Sequence, residues 1–64
     1  MEQEIRDRNN SLIGRITVES NGDKTVRDKY NKLLGYYRKS SDTTYDKDNR
    51  VVARGDASAM LLSK

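Results

Sequence analysis

The sequence predicts a mainly β fold: a six-strand antiparallel meander made of three repeated β-hairpins, followed by a short C-terminal helix. Two observations carry that reading. The phrase Asp-x-x-Asn-x-aliphatic-aliphatic-small occurs three times in 64 residues, at Asp7–Gly14, Asp28–Gly35 and Asp46–Ala53, with the copies 21 and then 18 residues apart. Short internal periods of this kind mark one supersecondary unit repeated. The tail after Gly55, Asp-Ala-Ser-Ala-Met-Leu-Leu-Ser-Lys, breaks the pattern and is rich in helix formers.

The first hairpin is expected over residues 3–19, with strands at 3–7 and 12–19. Asp7 opens its turn, because a carboxylate in that position accepts a backbone N–H two residues on. Asn10 follows three residues later and tolerates the left-handed backbone that closes such a turn with a bulge. The link 19–23 contains Asn21-Gly22, a tight-turn signal. The second hairpin, 24–39, repeats the device with Asp28 and Asn31 between strands at 24–28 and 33–39. Its Lys, Leu and Arg content would allow a helix, but the turn punctuation overrides that propensity. Lys39-Ser40-Ser41-Asp42 forms the next link. The third hairpin, 43–54, uses Asp46 and Asn49 between strands at 43–46 and 51–54. The recurring small residues Gly14, Gly35 and Ala53 mark positions where another chain segment comes close. A helix over 57–63, capped by Asp56, is two turns long and too short to persist without packing. Its Ala57, Met60 and Leu61 side is expected to dock on the sheet or between subunits.

Composition narrows the function classes. Residues 1–64 make one domain, and a chain this size is marginal without a staple. There is no Cys and no His, so disulfides and a structural zinc site lack their ligands. Only 33% of residues are hydrophobic and Phe and Trp are absent, which leaves a thin core. Thirteen Lys and Arg against ten Asp and Glu give a net charge of +3, a mild attraction for anions and not a polybasic tract. Met1-Glu2-Gln3-Glu4 does not read as a signal peptide. No apolar run approaches the roughly 20 residues that cross a bilayer. The expected location is the cytoplasm, with a reducing milieu compatible with the missing Cys.

Each motif has a plain structural reading. Arg54-Gly55-Asp56, the tripeptide read by integrins, reads as a strand-to-helix turn with an Asp cap. Asn9-Asn10-Ser11 fits the N-glycosylation pattern but is turn chemistry. Asp46-Lys47-Asp48-Asn49 has the acidity of a calcium loop, yet Val51 and Ala57 stand where that loop needs Gly and Glu. Catalysis lacks a nucleophile elbow, a phosphate loop or a general base beyond turn Asp and surface Glu. Tyr36 and Tyr37 beside Arg38-Lys39 suggest bases stacked on an aromatic with phosphates on cations. Adjacent strand residues point to opposite faces, so only one of the two tyrosines serves such a ligand while the other packs inside.

Three hairpins carrying D-x-x-N-x-[LV]-[ILV]-[GA], followed by an Ala/Leu-rich tail, resemble the small bacterial β-flower proteins and the tyrosine-aspartate hairpin repeats of secreted polymorphic toxins. In those families the turn more often reads Y-D-x-x-G-R. This chain keeps Tyr45-Asp46 and Asn49-Arg50-Val51-Val52, but has Asn for Gly in all three turns and Arg for Tyr in the first two. The resemblance implies a radial or barrel-like arrangement of hairpins and no chemistry.

The expected function is therefore non-catalytic: a bacterial or phage-derived protein-interaction or structural module that associates with itself through its apolar C-terminal segment, or with another protein. Candidate contact residues are Tyr36, Tyr37, Met60, Leu61 and Leu62, the last three forming an apolar end. The alternative is weak, non-specific nucleic-acid binding. No cofactor, metal, membrane or small-molecule substrate is expected.

Overall fold

The computed structural model describes residues 1–62. Six strands follow in order: β1 (Glu2–Arg6), β2 (Leu12–Val18), β3 (Lys24–Asp28), β4 (Leu33–Arg38), β5 (Thr43–Asp46) and β6 (Val51–Arg54). They form one antiparallel sheet in the order β1-β2-β3-β4-β5-β6. The sheet is open and not closed into a barrel, so the barrel-like arrangement is corrected: β1 pairs only with β2, and β6 only with β5.

The three Asp/Asn turns are alike in detail. In each, the Asp Oδ1 accepts two backbone N–H groups, two and four residues on. These are Asn9 and Ser11 on Asp7, Tyr30 and Lys32 on Asp28, and Asp48 and Arg50 on Asp46, all at 2.8–3.0 Å. Asn10, Asn31 and Asn49 sit in the left-handed region at φ 64°, 67° and 66°. A register shift follows in each hairpin, which is the bulge that this turn imposes. The two links use the same turn. Gly22 N–H donates to the Glu19 carbonyl and Asp42 N–H to that of Lys39, with Gly22 at φ 97° and Asp42 at φ 48°. The tight turn expected at Asn21-Gly22 is present, with Gly22 as its left-handed residue.

The C-terminal segment is a 3-10 turn, Ser58–Leu62, and not the expected α-helix. Met60 N–H donates to the Ala57 carbonyl three residues back, the 3-10 spacing favoured in very short helices. Ser63, the last residue of the expected helix, lies outside the described residues.

This turn covers one face of the sheet. Leu61 joins Ile16 and Val26 in the core, with Ile5, Val18, Leu34 and Leu62 packed around them. The close approach marked by the small residues is visible at two of them. A Cβ on Gly14 would run into a Leu62 methyl carbon, and one on Gly35 would lie 2.9 Å from a Leu61 methyl carbon. Three polar ties hold the segment down. The buried Thr44 hydroxyl donates to the Gly55 carbonyl and accepts from Ala57 N–H, at 2.8 and 2.9 Å. Gly55 N–H donates to the Asp42 carbonyl. Asp56 accepts from Ser58 N–H and Oγ and pairs with Lys24 Nζ at 2.5 Å.

Candidate interaction surface

Cross-strand partners share a face, so the register assigns the uncovered face directly. One row runs Glu2–Thr17–Thr25–Tyr36–Tyr45–Val51 across all six strands. Beside it lie Glu4–Arg15–Arg27–Leu33 on one side and Arg38–Thr43–Arg54 on the other. The sheet thus has an apolar face closed by its own tail and an open face of arginine, threonine and two tyrosines.

The tyrosines divide as strand geometry requires. Tyr37 points to the covered side, is buried, and donates its hydroxyl to Asp42 Oδ1 at 2.5 Å. That bond, burial and the nearby Asp42, Asp56 and Asp23 charges push its phenol up to about 12. Tyr36 lies on the open face. Its ring stacks on Tyr45 with centroids 5.2 Å apart, the Arg38 guanidinium sits 5.0 Å from its centroid, and its hydroxyl donates to Asn49 Oδ1. Sequence reasoning missed Tyr45 as a member of this cluster, although its place one residue before Asp46 was the available signal. In the first two copies an arginine holds that position. Arg6 and Arg27 donate back to the carbonyls of Asn10 and Asn31 at 3.0 and 3.4 Å.

The three apolar tail residues separate. Leu61 is 6% exposed and spent inside the chain. Leu62 is half-buried over Gly14. Met60, on the side expected to dock on the sheet or between subunits, is 58% exposed. Of these three residues Met60 is the most exposed.

Asp56 is committed. Lys24 beside it, together with the Ser58 hydrogen bonds, holds its carboxyl below the usual carboxylate range. Its place in Arg54-Gly55-Asp56 is thus a turn capping the 3-10 segment. Among the described residues no group of His, Cys, Asp or Glu is placed to hold a metal ion. The Asp46 carboxylate accepts from the Asp48 and Arg50 amides of its own turn. No helix among them is long and apolar enough to cross a membrane. A groove of about 330 Å³ lies beside the covered face, lined by Leu12, Ile13, Leu34, Leu61, Leu62 and the flanking turns.

The two outer strands differ sharply in charge. β1 reads Glu-Gln-Glu-Ile-Arg, and β6 reads Val-Val-Ala-Arg after Arg50. Glu2 and Glu4 both reach Arg15, at 3.3 and 3.7 Å. No family model, curated protein or solved structure matches this chain.

Proposed function

We propose that the chain is a non-catalytic structural module of the cytoplasm that assembles with copies of itself. The observation that carries this reading is the open sheet in so small a core. Among the described residues only Ile16, Val26, Tyr37 and Leu61 are buried hydrophobic side chains, while β1 and β6 each have one unpaired edge. An unpaired edge is a row of unsatisfied N–H and C=O groups that templates another strand. Association adds to a marginal core what the chain itself cannot bury. Light scattering across a dilution series tests the reading. The expected result is a mass that is a multiple of 7.4 kDa and falls on dilution. A mass of 7.4 kDa at every concentration would overturn it.

A second reading rests on a separate observation, the Tyr36–Tyr45 stack with Arg38 and Arg27 on the uncovered face. Aromatic side chains and arginines on an open sheet are the groups that hold single-stranded nucleic acid. Binding of a labelled oligonucleotide that weakens steeply with salt supports it. No binding at low salt removes it.

A further inference from the structure

Backbone hydrogen bonds fix which residues of each outer strand look outward. Met1 and Val18 exchange both of theirs, at 2.7 and 2.6 Å. Antiparallel strands alternate inward and outward groups. Glu2 and Glu4 therefore turn their N–H and C=O away from β2. At the other edge Gly55 N–H points inward to the Asp42 carbonyl, so Arg54 turns its own outward.

We infer that β1 of one copy adds to β6 of the next, with Glu2 opposite Arg54 and Gln3 opposite Ala53. The inference rests on the self-assembly reading and supplies its geometry. Strand direction permits it. In a six-strand meander β1 and β6 run oppositely, so copies in the same orientation continue the antiparallel order without a break. Charge selects it over the symmetric alternatives. β1 against β1 sets Glu2 opposite Glu4 when centred on Gln3 and Glu4 opposite itself when centred on Glu4, and β6 against β6 centred on Arg54 opposes two Arg54 side chains. Like charges directly opposite destabilise a ladder, and opposite charges support it. Glu2 and Arg54 also project on the same face, by the register of both edges, so their side chains meet across the new ladder. The bulge in β6, between the partners of Thr44 and Tyr45, confines the ladder to the Arg54 end. Shifting the pairing by two residues would carry Glu2 past Arg54, the last residue of β6, and leave it without a strand partner. A head-to-tail contact of this kind yields a ring where the rotation closes and a filament where it does not.

Charge reversal on the full chain tests it, with circular dichroism reporting the sheet. Glu2→Arg and Arg54→Glu are each expected to reduce the assembly to the 7.4 kDa chain. The double reversal in one chain is expected to restore the wild-type mass, an outcome that misfolding of a single variant does not produce. An assembly that survives both single reversals would overturn the edge pairing and leave self-assembly standing. A wild-type chain that is monomeric throughout would overturn both.

Discussion

Leu61 and Gly35 are in direct opposition across the covered face: the space a Cβ would take on Gly35 lies 2.9 Å from Leu61 Cδ1 and runs into the Tyr45 carbonyl oxygen. The missing side chain in β4 is what lets the tail lie flat on the sheet. Gly35→Ala is expected to destabilise the fold by about 1–3 kcal/mol, since the carbonyl is backbone and does not swing aside. Leu61→Ala is expected to cost about 2–5 kcal/mol, and the exposed Met60→Ala under about 0.5 kcal/mol. Urea unfolding of the three variants measures the contrast. Equal effects at Leu61 and Met60 would contradict the docked tail.

The Asp/Asn turns are expected to respond as a set. Asp28→Ala removes an acceptor for two backbone N–H groups and is expected to lower stability by about 1–2 kcal/mol. Asn31→Ala keeps a Cβ in the left-handed region at φ 67° but removes the short polar side chain that makes Asn tolerate it, and is expected to cost about 1 kcal/mol. Asn31→Gly is expected to be tolerated, because Gly populates that region freely. Thermal melts that rank Asn31→Gly below Asn31→Ala would refute the turn assignment.

Acid should expose the Lys24–Asp56 pair. The folded carboxyl of Asp56 lies below its unfolded value. Its contribution is therefore present above the unfolded pKa, about 4, and is lost as pH falls through the folded value. Asp56→Asn is expected to melt lower than wild type at neutral pH, and the gap is expected to shrink under acid. A gap that stays constant with pH would mean the pair contributes nothing through charge.

Alkali should act through Tyr37. Its folded pKa is raised to about 12, so the hydrogen bond to Asp42 supports the fold fully below the unfolded value of about 10. The contribution is lost as pH rises through about 12. Absorbance titration is expected to show a phenol step near pH 12. In Tyr37→Phe that step should vanish. A wild type that lacks it would contradict the buried placement.

The strand order and hairpins were legible because their causes are local. A left-handed residue is selected by its own backbone sterics, so Asn10, Asn31 and Asn49 could be read three residues after each Asp. Every strand end falls within a residue of its expected place. The same locality gave Tyr36 and Tyr37 opposite faces, without saying which was which. Tyr45 and the charge difference between the outer strands escaped notice, because their roles depend on cross-strand register.

By itself, then, the amino-acid order determined where the chain turns and how often, since each turn is set by residues within five positions. Tertiary structure alone decided which face is covered, that Leu61 and Leu62 are spent over Gly35 and Gly14, and that the tail is a 3-10 turn. The physical reason is that the two faces acquire their difference, Ile5, Ile16, Val18 and Val26 on one and arginines and threonines on the other, only when cross-strand register aligns the strands. Only a segment returning from the far end of the chain, bonded through Thr44 and Asp56, makes one of them the inside.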